Sequence, residues 1–262
     1  MSKGKFYFSK SLEKGLKILC LFTRETPVLT QSEIAKTLGM NMTSTYRYIN
    51  TLVELGYLEK NTKTKEIRPS ILCLLFCTNL MQATDHLKLI KEVVDRIHRE
   101  NNISIDVVFA VDDTLVRIYH REAEETLTYS LPNYSTNCLH NTALGKAYLS
   151  SLPDDMITEK MEAMTLVAKT ERTIVDKRVL FESLKEAKAN HFAMSEEEYL
   201  PGLIAIGAPL FDPISGKGVG AVSFDFSVLE HGADDIRKKY GGMIQETART
   251  LSELMPLDKN HR

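Results

Sequence analysis

No apolar run in this chain of 262 residues approaches the ~20 residues that a helix needs to cross a bilayer. The first residues, MSKGKFYFSKS, have neither a long apolar core nor a small-residue cleavage site. They do not read as a secretory signal, and the expected compartment is the cytoplasm. Cysteine is scarce: Cys20, Cys73, Cys77 and Cys138 form no paired framework and are expected as buried small hydrophobes. Cys73 and Cys77 lie four apart on an expected helix, but no second Cys or His pair at ligand spacing follows, which argues against zinc. A nucleophile elbow and a phosphate loop are both missing, so no catalytic residue, cofactor or metal is expected.

What is present divides in two. Composition is that of an ordinary globular protein, 43% hydrophobic and 26% charged, and the length suits two cores better than one. The net charge of −2 hides a split. Residues 1–68 hold 12 Lys and Arg against 6 Asp and Glu, and the remainder holds 21 against 29. A basic head on an acidic body implies that only the head meets a polyanion.

The head is organised around Thr30 to Gly56, TQSEIAKTLGMNMTSTYRYINTLVELG. Before it, Ser11 to Arg24 has Leu12, Leu16, Leu19 and Cys20 on one face and Lys14 and Lys17 on another, the pattern of an amphipathic helix. Thr30 and Glu33 have capping-box spacing. Ile34, Ala35 and Leu38 form a buried stripe, and Gly39 supplies the turn. Asn41 caps the next helix, on which Tyr48, Ile49, Leu52 and Leu55 are expected inside. Thr43, Ser44, Tyr46, Arg47, Asn50 and Thr51 remain to meet DNA, since short polar residues approach base edges closely and arginine grips guanine or phosphate. Gly56-Tyr57-Leu58 opens a hairpin carrying Lys60, Lys63, Lys65 and Arg68, a basic wing suited to the phosphate backbone. Helix, turn, helix and wing together form a double-stranded DNA reader.

Pro69 to Gln82, PSILCLLFCTNLMQ, begins with a proline suited to a first helical position. It is apolar on nearly every face: Ile71, Leu72, Leu74, Leu75, Phe76, Leu80 and Met81 need partners on several sides. The economical partner is the same helix of a second copy, and a twofold homodimer would set two heads on a palindromic operator. The expected domains are 1–68, a linker helix over 69–83, and 84–262.

In the body, Asp85 to Asn101 reads as a helix with Leu87, Ile90, Val94 and Ile97 inside. Strands are expected over Ile103 to Val111 and Leu115 to His120, joined by an Asp112-Asp113 turn. Helices follow over Asn141 to Ser151, Asp155 to Met164 and Lys177 to Asn190, then a hairpin of Leu203 to Phe211 with Gly218 to Phe226, and a last helix over Ala233 to Met255. Paired strands flanked by helices give an α+β domain with an antiparallel sheet.

The chain resembles the IclR family of bacterial transcriptional regulators over nearly its whole length. The resemblance is carried by TSTYRYINTL followed by GYLE in the head and by HNTALGKAYL (His140 to Leu149) in the body. It extends through ERTI (Glu171 to Ile174), EEYLPGLIAIGAPLFD (Glu197 to Asp212) and GAVSFDF (Gly220 to Phe226). It implies a two-domain α+β protein: a winged helix-turn-helix, a linker helix and a GAF-like or profilin-like effector domain. Such a protein acts as a dimer, or a tetramer made of dimers, and represses or activates catabolic operons in response to a small metabolite. The family's effector pocket falls by position on Ala143, Leu144, Ser195, Ala205, Ser223 and Asp225. Family members often carry cysteine at the position of Ala205 and serine at that of Asp225. An aspartate there repels an effector carboxylate, which points to a polyol, sugar derivative or amine, or to an organic acid whose anion is held elsewhere. In another reading Asp225 is only a surface or network carboxylate. The rival reading from another class is an enzyme or metal site using Cys138 and His140.

Overall fold

The computed structural model describes residues 8–23, 26–83, 85–111, 114–124 and 139–255. Arg24, the Asp112-Asp113 turn, Cys138 and the side chain of Met81 lie outside the described residues. The chain divides into two compact units, Met1–Thr84 and Asp85–Arg262.

In the first unit, α1 (Lys10–Leu19) is capped by the Ser9 hydroxyl, which accepts from the Leu12 amide. α2 (Gln31–Thr37) begins with a complete capping box, Thr30 with Glu33, and ends before Gly39 at φ 60°. α3 (Met42–Glu54) is capped by Asn41, whose Oδ1 accepts from the Ser44 amide at 2.8 Å. Three short strands, β1 (Leu29–Thr30), β2 (Leu58–Lys60) and β3 (Glu66–Pro69), pair antiparallel in the order β1-β3-β2. Ile18, Ile34, Ile49, Leu52, Leu58 and Ile67 form the core, one or two residues from each element but β1, whose Leu29 packs against it partly buried.

Four expectations need correction here. Leu12 and Leu16 are exposed, because α1 reaches this small core through Ile18, fully buried, and the partly buried Leu19. Leu55 is 57% exposed at the end of α3. The buried stripe is Thr45, Ile49 and Leu52, and Thr45 is tolerated inside because its hydroxyl donates to the Asn41 carbonyl at 2.9 Å. Pro69 starts no helix. It is the last residue of β3, opposite Leu58, where a strand end demands no N–H, and the hydroxyl of Ser70 accepts from the Leu72 amide instead. Cys20 and Cys77 are exposed and Cys73 half-buried, because Cys20 caps the end of α1 and the other two ride on α4 (Ile71–Gln82). Ile71, Leu74, Leu75, Phe76 and Leu80 of α4 are all exposed.

The second unit is a five-stranded antiparallel sheet in the order β5-β4-β8-β7-β6. Its strands are β4 (Ser104–Val111), β5 (Thr114–Arg121), β6 (Ala193–Glu196), β7 (Leu203–Phe211) and β8 (Gly218–Ser227). The edge strand β6 is absent from the expected elements, since four residues carry too little alternation to read. One sheet face packs on α5 (Asp85–Asn101) and α9 (Ala233–Glu253), through Ile90, Val94, Ile236, Ile244 and Leu251 against Val107, Ile206 and Phe224. The other meets α6 (Ala143–Ser150), α7 (Asp154–Ala163) and α8 (Lys177–Asn190), through Leu144, Leu149, Leu180 and Leu184. Every residue of α6 is buried, so the helix is lodged against the sheet. Close approach explains two glycines. A Cβ on Gly207 would lie 2.9 Å from the Ala143 backbone, and one on Gly220 would lie 2.1 Å from the Val108 carbonyl oxygen.

Gly220→Ala therefore lowers the stability of the second unit by about 2 kcal/mol or more, because two paired strands must separate. Gly15→Ala, inside α1 with nothing within 4 Å, adds up to about 1 kcal/mol to the first. Urea unfolding of the full chain, followed by circular dichroism, reads both.

Candidate functional sites

The first candidate surface lies on α3 and the adjoining hairpin. Thr43, Tyr46, Arg47 and Thr51 are exposed there, and Ser44 and Asn50 half-buried. Asn41 fixes the start of this face, and the Gln31 amide, donating to the Met42 carbonyl at 3.2 Å, ties it to α2. The ammonium of half-buried Lys60 lies 5.3 Å from the Tyr46 ring centroid, linking α3 to the hairpin by a cation–π contact. Lys63 and Lys65 are exposed at the hairpin tip. Lys65 sits at φ 64°, and its ammonium reaches the Thr62 carbonyl at 2.7 Å. Arg68 is committed to Glu59 at 2.7 Å, so much of its charge is neutralised. The wing's positive field rests on its three lysines.

The second candidate is the α6-side face of the larger sheet. Register sets two polar rows across it. Ser104, Asp225, Ala205 and Ser195 lie side by side, and so do His120, Asp106, Ser223 and Gly207. The bulge between Val107 and Val108 shifts β5 so that both Arg117 and His120 reach Asp106. Asp106, 1% exposed, has the Arg117 Nε 2.6 Å from Oδ1 and the His120 Nδ1 at 3.2 Å. The hydrogen bond to Asp106 raises the His120 pKa above its ordinary value. Asp225 is half-buried and has a lesser partner, the Ser223 hydroxyl, which donates to its Oδ1 at 2.9 Å. Burial first, and the Asp106 charge second, push the Asp225 carboxyl up to about 7.

Of the residues expected at an effector pocket, Ser195, Ala205, Ser223 and Asp225 share this face in adjacent rows, and Ala143 lies over it against Gly207. Leu144 is different: its side chain belongs to the apolar cluster beneath α6, so only its backbone could serve a ligand. The Ser195 hydroxyl donates to the Asn141 carbonyl at 3.0 Å and thereby fastens β6 to the segment before α6. The Asn141 side chain is fully buried, and neither of its amide atoms has a hydrogen-bond partner among the described residues. Lys146, 2% exposed, pairs with Glu198 at 2.5 Å. Burial raises the Glu198 pKa against the lowering influence of that lysine.

Sequence reasoning missed Asp106, Arg117, His120 and Asn141. One signal was available: Asp106 interrupts IDVVFAV, a run of strand formers too apolar for an exposed strand, so an inward carboxylate had to find cations. His140 is buried with its Nε2 3.2 Å from the Val167 carbonyl oxygen, an anchoring role inside the fold.

The family model for the IclR helix-turn-helix domain matches residues 11–62, and that for the bacterial transcriptional regulator IclR C-terminal region matches residues 78–253. Among curated relatives, the HTH-type transcriptional regulator BhcR of Paracoccus denitrificans is 24% identical, covering 93% of this chain and 86% of its own. The transcriptional repressor IclR of Escherichia coli is 20% identical, with 93% and 89% covered. An IclR transcriptional regulator from Alicyclobacillus acidocaldarius shares the fold at a TM-score of 0.80 and 18% identity, over 95% of this chain and 99% of that one. An IclR homologue from Microbacterium hydrocarbonoxydans, solved in complex with 4-hydroxybenzoate, matches at 0.68 and 14%, over 94% and 97%.

The raised Asp225 pKa has a measurable consequence. Between the unfolded value near ~4 and the folded value near 7, the folded protein keeps a proton that the unfolded chain releases, so the carboxyl costs stability as pH rises through that window. Asp225→Asn removes the cost. The variant is more stable than the parent at pH 8, by about 1–2 kcal/mol after discounting for partial exposure, and the gain fades toward pH 4. Thermal melts across that range give the comparison.

Proposed function

We propose a function from one premise: the chain belongs to the IclR family of bacterial transcriptional regulators. It is a transcriptional regulator with a helix-turn-helix domain and an effector-binding domain. In our reading it binds a palindromic operator on double-stranded DNA as a homodimer in the cytoplasm and represses the genes there. Its grip on DNA changes when a small metabolite occupies the C-terminal unit. The observation that carries the DNA assignment is the exposed polar face of α3 with Arg47 at its centre, next to a wing bearing Lys60, Lys63 and Lys65.

The roles divide by chemistry. Thr43, Ser44, Tyr46, Arg47, Asn50 and Thr51 approach base edges and the flanking phosphates, while the wing lysines meet the backbone, which adds affinity without sequence preference. The second copy is supported by α4, whose exposed Ile71, Leu74, Leu75, Phe76 and Leu80 would otherwise stay wetted. Pairing two dimers into a tetramer is compatible with the same reading. Repression is supported by the like-named function of the Escherichia coli relative, and metabolite control by the 4-hydroxybenzoate held by the Microbacterium homologue. The effector site we assign is the sheet face from Ser195 and Ala205 to Ser223 and Asp225, closed by the backbone of Ala143 and Leu144. Buried His140, bonded to a carbonyl, offers no support for an enzyme.

Fluorescence anisotropy on the promoter fragment nearest the gene tests the DNA half. Arg47→Ala weakens specific binding by about 1–3 kcal/mol while leaving non-specific binding almost unchanged. Lys63→Ala with Lys65→Ala weakens binding to every sequence and lowers the slope of log affinity against log salt by roughly 2. If neither variant differs from the parent on any fragment, the helix and wing do not contact DNA.

A further inference from the structure

On the polar sheet face the charges are unevenly provided for. Asp106 holds two cations, Arg117 at 2.6 Å and His120 at 3.2 Å, and is shielded from solvent. Asp225, one strand over and one row along, has among the described residues a single neutral donor, the Ser223 hydroxyl. Its neighbours across the sheet do not help, because Ala205 has no polar group and the Ser104 hydroxyl accepts from the Ala123 amide. Arg117 and His120 favour the ionised form of this half-buried carboxylate, but less than burial and the Asp106 charge oppose it, and among the described residues it makes no ion pair of its own. What it lacks is a cation in contact.

The facing wall has the opposite deficiency. α6 begins at Ala143, directly over Gly207, and its first amides point out of the helix start, where the backbone dipole favours an anion. The Thr142 hydroxyl accepts from the Gly145 amide. Two residues before Ala143, buried Asn141 has a side-chain amide with no hydrogen-bond partner among the described residues, which is costly unless a ligand supplies one. Gly207 pairs with Ser223, so Asp225 lies diagonally from Gly207, the residue beneath the start of α6, roughly 7–8 Å away by strand geometry. A small molecule with one charge of each sign a few bonds apart would satisfy both walls.

We propose that the effector is an amino acid or a closely similar amino-carboxylate, its ammonium paired with Asp225 and its carboxylate at the start of α6 beside Asn141. This rests on the reading of the C-terminal unit as the effector-binding domain. Ser223 is then a positioning residue that orients the Asp225 carboxylate through its hydroxyl. Arg117 and His120 stay with Asp106 and keep that carboxylate from competing for the ammonium. Because pairing favours the ionised carboxylate, affinity rises from pH 6 to pH 8.

The test uses the full chain and the twenty protein amino acids, β-alanine and 4-aminobutanoate. Each is compared with its 2-hydroxy or deaminated analogue and with the corresponding decarboxylated amine, by thermal shift and then calorimetry. The expected result is that at least one amino acid binds at least tenfold more tightly than its hydroxy analogue. In Asp225→Asn, which keeps the side-chain shape, that preference disappears while the hydroxy analogue binds as before. Equal binding of hydroxy analogue and amino acid by the parent overturns the proposal, as does an amine preference that survives in Asp225→Asn. Anisotropy on the promoter fragment separates the two levels. If a carboxylate without an amine binds and changes DNA affinity while no amino compound does, the Asp225 assignment falls and the metabolite-controlled regulator stands. If no compound of any class binds or alters DNA affinity, both fall.

Discussion

The Asp106 carboxylate, 1% exposed in the second strand of the larger sheet, sets the constraint from which the polar half of that unit follows. A carboxylate cannot stay ionised at such a place without partners, and removing one member of a buried pair typically costs 3–5 kcal/mol. Arg117 and His120 supply the compensation, and the β-bulge at Val107 and Val108 brings both to one oxygen atom. Polar side chains then extend along neighbouring strands to Ser223, Asp225 and Ser195. The apolar cluster beneath α6 occupies the rest of the same face. Lys146 and Glu198 follow the same rule beside it: each would be untenable alone, and together they fasten the fully buried α6 to the loop before β7. The segment that begins α6 can present backbone amides to a ligand because this pair and the missing side chain of Gly207 hold it close to the sheet.

The readability of the fold from sequence followed the range of the interactions involved. The capping box at Thr30 and Glu33, the Asn41 cap, α8 and the strand Leu203 to Phe211 depend on residues within a few positions of each other, and each is found where the pattern puts it. Where a residue's fate depends on distant partners, local pattern misled. Leu12 and Leu16 keep an amphipathic spacing, but a core of six residues contributed by five elements has no room for them. Leu55 matched the helical period but fell at the cap, and Thr45 took the inside place because a backbone carbonyl was within reach. Pro69 carries a helix-start signal and a strand-end signal at once, and pairing with Leu58 decided between them.

The candidate sites divide in the same way. The surface on α3 and its wing is nearly all local, so its residues could be named from the helical period. What the sequence could not reveal was that Glu59 withdraws Arg68 from the basic wing, a contact between residues nine apart across two strands. On the sheet face, Ser223 and Asp225 could be seen to share a side of β8 by alternation alone. Their relation to Asp106, His120 and Arg117 depends on the order β5-β4-β8 and on a bulge, neither of which a single sequence prints.

The partnering of Asp225 bears on how a ligand there could control anything. A ligand shifts an equilibrium only by the difference in its affinity for two states, and a tenfold shift takes about 1.4 kcal/mol. A group already satisfied in the empty protein gains little on binding and can contribute little to such a difference. Asp106 already has two cations, at 2.6 and 3.2 Å. Asp225, held partly protonated by burial and by its neighbour's charge, makes no ion pair among the described residues, and a cation arriving there both pairs with it and draws off its proton. Any conformation that brings Asp225 and the start of α6 within reach of one small molecule gains that pairing, and any conformation that parts them loses it. The unfavourable placement of a single carboxylate thus supplies differential affinity on the scale regulation requires, and a serine at the same position, with no charge to satisfy, would supply less.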